Sequence, residues 1–157
     1  VIALQHNPHS EAGKPLYERF IRAWRGLPDK TLKLVFHGTA DANMESILRS
    51  GLDSSRRGVA HGQVGGCGEY FGGEVSVSAP YSRGSHKLLV FAILMDASGV
   101  TSTDQGHPGE IVINKVDHQL PLAVIIFDRS LGNVPIIAGP AFKSAMDMSR
   151  QVSSTCG

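Results

Sequence analysis

Four short stretches of the sequence carry residue types that could do chemistry together. His37 and Gly38 end an apolar segment, Tyr70 closes a glycine-rich stretch, Tyr81 follows eleven residues later, and Glu110 begins another apolar segment. Each residue alone has an ordinary explanation, as a turn residue, a core aromatic or a solvated acid. As a set, they could stack on a flat ring, exchange hydrogen bonds with it and place a negative charge beside it.

Several common catalytic patterns are missing from the sequence. Phe71 stands where a G-x-G-x-x-G dinucleotide fingerprint starting at Gly66 would need its third glycine. No P-loop, H-E-x-x-H or G-x-S-x-G motif occurs. His6 and His9 lie three residues apart in a polar segment, which is a weak metal pattern, so no metal site is expected. These absences argue against a dehydrogenase, a P-loop NTPase, a zinc protease and an α/β-hydrolase.

The blocks around the candidate residues resemble the catalytic domain of the poly(ADP-ribose) polymerases and the diphtheria-toxin-like ADP-ribosyltransferases, the H-Y-E group. The 33-residue step from His37 to Tyr70 fits this family, and the resemblance covers residues 32–128. It implies an α+β protein with the ADP-ribosyltransferase fold, in which mostly antiparallel split β-sheets are flanked by short helices. The matching blocks are LVFHGT from Leu34, ILRSGL from Ile47, GEYF from Gly68, SVSAPY from Ser76 and EIVI from Glu110.

The resemblance implies that NAD⁺ is the substrate and that its nicotinamide–ribose bond is cleaved through an oxocarbenium-like transition state. It implies that Glu110 bonds the 2′-hydroxyl of the nicotinamide ribose and that His37 bonds the adenosine-side ribose. The backbone of Gly38 and the hydroxyl of Ser78 would hold the carboxamide, and two tyrosines would hold the ring. The implied catalytic set is His37, Tyr70 and Glu110, and the implied NAD⁺-binding set is His37, Gly38, Thr39, Tyr70, Ser78 and Tyr81.

Departures from the polymer-forming members favour transfer of a single ADP-ribose. Only 28 residues separate Tyr81 from Glu110, a span too short for the insertion that helps hold an acceptor polymer. Cys67 replaces the lysine that precedes the Gly-x-Tyr-Phe block in those members. The segment before residue 30 has no room for a regulatory helical domain, so residues 1–157 are expected to form one catalytic domain.

Two other functions need the same donor pocket and stay open at this point. An NAD⁺ glycohydrolase would use water as the acceptor, and an inactive module would bind NAD⁺ or ADP-ribose without cleavage. A protein is the expected acceptor of a transferase, with nucleic acid and small molecules as alternatives. Asp53 stands where the family often has a basic residue, and Arg56 or Arg57 is the expected substitute on the adenosine side.

Short elements must position these residues, and apolar periodicity predicts where they lie. A strand is expected to end at His37, and a helix starting from an Asp41 cap is expected to stop at Gly51. Alternation along an extended segment predicts that Glu69, the competing carboxylate, points away from the ring of Tyr70. The remaining expectations are an arm at 1–10, helices at 11–25 and 141–150, loops at 52–69 and 96–108, strands at 87–95, 110–115 and 122–127, and an apolar piece at 134–137.

The composition is that of one globular domain. The chain has 157 residues, of which 41% are apolar and 18% charged, and its net charge of +1 provides no broad basic field for nucleic acid. The longest strongly apolar run, residues 88–95, is far shorter than the roughly 20 residues of a membrane span. No signal peptide is seen, so an intracellular location is expected. Cys67 and Cys156 are expected to be free thiols.

Overall fold

The computed structural model describes residues 3–56, 67–103 and 109–127 of the chain. The helix expected at 141–150, the apolar piece at 134–137, Arg57 and Cys156 lie outside the described residues. Short 3-10 turns occur at Pro8–Ser10, Ser54–Arg56, Ala79–Ser82 and Val116–His118. The helices and strands are β1 Ala3–His6, α1 Pro15–Gly26, β2 Leu32–His37, α2 Asp41–Ser50, β3 Glu69–Gly72, α3 Val75–Ser78, β4 Lys87–Leu94, β5 Val100–Thr103, β6 Glu110–Ile113 and β7 Gln119–Ile126.

The strands form one antiparallel sheet in the order β1-β7-β4-β2-β3-β6-β5. β2 pairs with β4 along its whole length, from Leu32 to His37. By contrast, β2 and β3 share a single residue pair, Phe36 with Gly72. Backbone pairing between the two halves of the sheet is therefore reduced to one point, as expected for a split sheet. The prediction of an α+β fold with antiparallel strands and short helices is confirmed.

The strand residues alternate between two cores, one on each face of the sheet. Leu34 and Phe36 belong to the core under α1, whereas Val35 between them belongs to the core that receives Met44 and Ile47 from α2. We call these the α1-side core and the α2-side core. Because β4 contributes to both, it reads as a continuous apolar run in the sequence. The apolar stripe of α1 consists of Leu16, Tyr17, Phe20 and Ile21.

The prediction of an N-terminal arm at residues 1–10 is wrong for residues 3–10. These residues form an edge strand of the sheet and the 3-10 turn that follows it. β1 pairs with β7 over four residues, from Ala3 opposite Ile126 to His6 opposite Ala123. Asn7 is fully buried, and its amide nitrogen donates to the carbonyl oxygens of Leu48 and Pro121 at 2.8 and 2.7 Å. The segment reads as polar because it is an edge strand, so only one of its sides is covered by protein.

The loop expected at 96–108 contains a strand. β5 pairs with β6, with a shift in register between Val100 and Ser102. The carboxylate of Asp96 accepts hydrogen bonds from the N–H and the hydroxyl of Ser98, and the N–H of Gly99 donates to the Asp96 carbonyl, which builds the turn before β5. A four-residue edge strand with one apolar residue leaves too little periodicity to be recognised from sequence.

The starts of the two longer helices follow local chemistry. α1 begins at Pro15 rather than at residue 11, because Gly13 turns the chain with φ +87° and proline fits the first helical position. Asp41, expected as the cap of α2, is instead its first helical residue, and its carboxylate accepts a hydrogen bond from Lys87 Nζ at 2.8 Å. Gly51, with φ +81°, ends α2 as predicted.

Candidate active site

Tyr70 and Glu110 project from the same face of the sheet. In the β3–β6 ladder, Tyr70 lies opposite Val112 and Gly72 lies opposite Glu110. Opposed residues of an antiparallel pair share a face, as do residues two apart on a strand, so Tyr70 and Glu110 are diagonal neighbours. Such neighbours are roughly 7–8 Å apart, and their Cβ atoms are somewhat closer. Because Gly72 has no side chain, Ser78 and Val77 approach the position directly across from Glu110.

The Glu110 carboxylate is buried without an internal partner. The residue is 5% exposed, and among residues 3–56, 67–103 and 109–127 its carboxylate makes no hydrogen bond or ion pair. Buried carboxylates in proteins are normally paired or hydrogen-bonded. Its oxygens are therefore available to accept hydrogen bonds from a ligand.

Glu69 is a second buried carboxylate, and it faces the other way. It lies opposite Ile113 in the ladder and is 7% exposed. Its neighbour on the same face, Phe71, belongs to the α2-side core. The prediction that Glu69 points away from Tyr70 is confirmed by this register.

His37, at the end of β2, connects the two halves of the sheet beside the Phe36–Gly72 pair. Its Nδ1 lies 2.8 Å from the carbonyl oxygen of Tyr70. A carbonyl oxygen can only accept, so Nδ1 carries the hydrogen and the neutral ring keeps its lone pair at Nε2. The ring centroid lies 5.7 Å from that of Phe71 and 6.1 Å from that of Phe91. These contacts place the His37 ring on the α2-side face, whereas the Tyr70 ring lies on the opposite face. His37 therefore contacts Tyr70 only at its backbone carbonyl among the contacts described above.

Gly38 is the point where the segment carrying Ser78 and Tyr81 meets β2. A Cβ added at Gly38 would collide with the carbonyl oxygen of Ser78 and lie 2.9 Å from Tyr81 Cβ. Only glycine allows this approach. Within the described part of the chain, neither the N–H nor the C=O of Gly38 makes a hydrogen bond. One donor and one acceptor of the main chain are thus left for a ligand beside Tyr81.

Ser78 and Thr39 are both hydrogen-bonded within the protein. The buried Ser78 hydroxyl donates to the carbonyl oxygen of Phe36 at 2.9 Å, which uses its hydrogen and leaves its oxygen as an acceptor. Thr39 Oγ1 accepts from the side-chain amide of Asn43 at 3.1 Å, which ties the start of α2 to the end of β2. The sequence prediction had included Ser78 and Thr39 but not Asn43.

The structure brings the predicted residues together around the one-pair junction of β2 and β3. Gly38, Ser78 and Tyr81 are in direct contact, Tyr70 bonds His37, and Glu110 lies across from Gly72. Sequence reasoning missed Gly72 as part of this site. The two consecutive glycines that follow the Tyr-Phe block were the available signal, since glycine within a strand marks close approach of another segment.

Metal sites and membrane spans are not seen in the parts of the chain that are described. Between residues 3 and 127, excluding 57–66 and 104–108, no three His, Cys, Asp or Glu side chains are grouped so that they could hold a metal ion. In the same residues, every helix is too short or too polar to cross a bilayer.

An antiparallel sheet that narrows to one residue pair beside a histidine, two tyrosines and a buried glutamate defines an α+β protein of the ADP-ribosyltransferase fold. The family model of the poly(ADP-ribose) polymerase catalytic domain matches residues 9–104, and the chain belongs to this family. None of the curated proteins compared with the chain matches it.

Family membership supports NAD⁺-dependent ADP-ribosyltransferase activity in general, with NAD⁺ as the substrate. The matched residues include His37, Gly38, Tyr70 and Tyr81 but end before Glu110. The position of Glu110 next to the other residues therefore rests on the β3–β6 register.

Proposed function

We propose that this chain transfers a single ADP-ribose unit from NAD⁺ to an acceptor, preferably a protein, and releases nicotinamide. The observation that carries the proposal is the Glu110 carboxylate, which is buried on the Tyr70 face and has no internal hydrogen bond among the described residues. A carboxylate in that state can bond the ribose and stabilise positive charge at the anomeric carbon.

The donor end of the proposed site holds nicotinamide. The N–H and C=O of Gly38 supply one donor and one acceptor for the carboxamide, and the Ser78 oxygen accepts from the carboxamide NH₂ because its own hydrogen is used by Phe36. Tyr70 and Tyr81 hold the ring by stacking. His37 accepts a hydrogen bond from the adenosine-side ribose at Nε2, with Thr39 beside it.

In the proposed reaction, the bond between the ribose anomeric carbon and the nicotinamide nitrogen breaks, and nicotinamide leaves with the electron pair. Glu110 accepts a hydrogen bond from the 2′-hydroxyl and stabilises the oxocarbenium-like carbon that remains. An acceptor nucleophile then bonds to that carbon and releases its proton. No step requires a metal ion.

Transfer of one unit rather than a polymer is supported by the connection between Tyr81 and Glu110. Much of this short connection forms β4, Lys87–Leu94, and β5, Val100–Thr103. Little chain remains there to hold a growing polymer.

The test is incubation of the chain with NAD⁺, followed by measurement of free nicotinamide and of the intact mass of the protein and candidate acceptor proteins. We expect nicotinamide release together with a mass increase of one ADP-ribose per modified site. Release without any adduct would identify an NAD⁺ glycohydrolase. NAD⁺ binding without release would identify an inactive binding module, and a ladder of adducts would contradict transfer of a single unit.

A further inference from the structure

Val77 packs beside two glycines that neighbour Glu110, Gly109 before it in the chain and Gly72 across the β3–β6 ladder. A Cβ added at Gly109, the residue before Glu110, would lie 3.3 Å from Val77 Cγ2. A Cβ added at Gly72, across the ladder from Glu110, would lie 2.9 Å from Val77 Cβ. Gly72 at the end of β3 and Gly109 just before β6 thus lack side chains, and Val77 from α3 packs beside both, together with the Ser78 hydroxyl at Gly72.

Gly109 sets the direction in which the backbone enters β6 at Glu110. Gly109 has φ +80°, a conformation that glycine adopts without strain. Its carbonyl oxygen accepts a hydrogen bond from the N–H of Gly73 at 2.8 Å. Val77 Cγ2 fills the space that a side chain at Gly109 would take. Since no described residue bonds the Glu110 carboxylate, its position is set by this backbone and by packing.

We propose that Val77 is a positioning residue for Glu110. This inference rests on the proposed function and extends it to a residue that touches neither NAD⁺ nor the acceptor. Valine suits the role because its branched Cβ restricts the side chain to few rotamers, so its methyls form a fixed wall. The requirement is one of shape, so an isosteric side chain should replace valine.

The kinetic test compares Val77→Ala with Val77→Thr, using nicotinamide release across a range of NAD⁺ concentrations. Removing both methyls lets the Gly109 backbone move, and displacement of a catalytic group by about 1 Å can cost up to about 10²-fold in rate. We expect Val77→Ala to lower kcat at least about tenfold while KM for NAD⁺ changes less than about twofold. Val77→Thr keeps the branched shape and is expected to retain most of kcat.

Val75→Ala is the matched control, because Val75 lies on the same short helix but packs against the α1-side core. It should not reproduce the loss in kcat. A second readout does not depend on catalysis: the amide resonance of Glu110 in ¹⁵N–¹H spectra should shift in Val77→Ala and stay in place in Val75→Ala.

The outcomes separate this inference from the proposed function. If the wild-type chain releases no nicotinamide, the proposed function fails, and the Glu110 resonance alone decides the role of Val77. Unchanged kcat in an active Val77→Ala variant, an unmoved Glu110 resonance, or an equal loss in Val75→Ala would each overturn the inference. A rise in KM that accounts for the whole loss would place Val77 in NAD⁺ binding instead.

Discussion

Glu110 combines properties that rarely occur together in a structural carboxylate. It is buried, it begins a strand whose other residues are apolar, and no described residue bonds its carboxylate. Burial of a charge without a partner is unfavourable, so a purely structural glutamate would be expected to carry an internal donor. The proposed role of Glu110 as a transition-state stabiliser accounts for this arrangement, because bound NAD⁺ would supply the missing partner.

The role of Glu110 is tested by Glu110→Gln, which keeps the shape of the side chain and removes its charge. The lost interaction acts mainly in the transition state, so turnover should fall while NAD⁺ affinity changes little. Loss of one electrostatic stabiliser typically lowers the rate by about 10²–10³-fold. The measurement is nicotinamide release at saturating NAD⁺, with NAD⁺ affinity determined separately.

Glu69→Gln is the matched control, since Glu69 is equally buried but faces the α2-side core. It should leave turnover close to that of the wild type. Wild-type turnover in Glu110→Gln would remove Glu110 from the catalytic set.

Gly38 allows a second test at the level of single residues. In Gly38→Ala the added methyl overlaps the carbonyl of Ser78 and crowds Tyr81, so the wall of the proposed nicotinamide site must move. A benzamide, which mimics nicotinamide, should raise Tm of the wild type by mass action and raise it much less in the variant. Gly26→Ala is the control, because a Cβ there meets nothing within 4 Å. A full benzamide shift in Gly38→Ala would show that this approach does not form the ligand site.

Among the elements, β1 and the 3-10 turn after it have a larger role than their polar sequence suggests. Asn7 is fully buried, and its amide bridges α2 to β7 by donating to the carbonyl oxygens of Leu48 and Pro121. Its Oδ1 accepts from the N–H of His9 at 3.1 Å and so also caps the turn. α2 begins at Asp41, two residues after Thr39, so the N-terminal segment helps hold the helix that borders the candidate site.

Asn7→Ala should therefore destabilise the chain markedly. The substitution removes the amide and leaves two carbonyl oxygens in a buried region without their donor, at about 1–3 kcal/mol for each unsatisfied group. The change in free energy of unfolding can be read from urea titrations. Glu11→Gln is the control: it alters the exposed His6–Glu11 pair at 3.3 Å, which is worth little. Equal stability of the two variants would contradict the bridging role of Asn7.

For the whole molecule, the buried side chain of His118 links two distant parts of the chain. It lies just before β7 and packs against Gly99 in the turn before β5. His118 is 3% exposed, and its Nδ1 packs against Gly99, where even a Cβ would collide with the ring. Burial lowers the pKa of His118 below 6.5; nearby Asp117 and Asp96 act in the opposite direction and Lys115 acts in the same direction as burial. The folded chain therefore keeps this ring neutral at pH values where the unfolded chain protonates it.

The lowered pKa of His118 predicts acid sensitivity. Above pH 6.5 the contribution of this ring to stability is fully present, and it is lost as the pH falls below 6.5 because the unfolded state binds more protons. The slope from one such group is at most about 1.4 kcal/mol per pH unit. We expect the free energy of unfolding to fall less between pH 7 and pH 5 in His118→Gln than in the wild type. Identical pH slopes in urea titrations would contradict this assignment.

The titration of Asp96 falls outside the pH range used to test His118. Hydrogen bonds from Ser98 and from the N–H of Asp29 lower the pKa of Asp96 below 3.8, so its contribution to stability is present above that value and is lost only in stronger acid. Asp96 therefore contributes little to the change between pH 7 and pH 5, and the comparison with His118→Gln isolates the contribution of His118.

Elements with strong apolar periodicity or clear stop signals could be predicted from the sequence. β2 and β4 were predicted almost to the residue because they are buried runs of apolar residues, and α2 ended at Gly51 because that position needs a positive φ. The family was recognisable from short blocks whose order and spacing are specific. These properties depend on neighbours along the chain, which a sequence contains in full.

Which distant residues share a face depends on strand pairing in the folded chain. The register of β3 against β6 places Glu110 across from Gly72 and on the same face as Tyr70. A shift by one residue would have placed Glu69, and not Tyr70, on the face of Glu110. Likewise, β1 and β5 are strands because β7 and β6 provide partners for their backbones, although their own side chains are mostly polar. Pairing energy of this kind comes from residues far apart in the chain, so no local pattern of the sequence contains it.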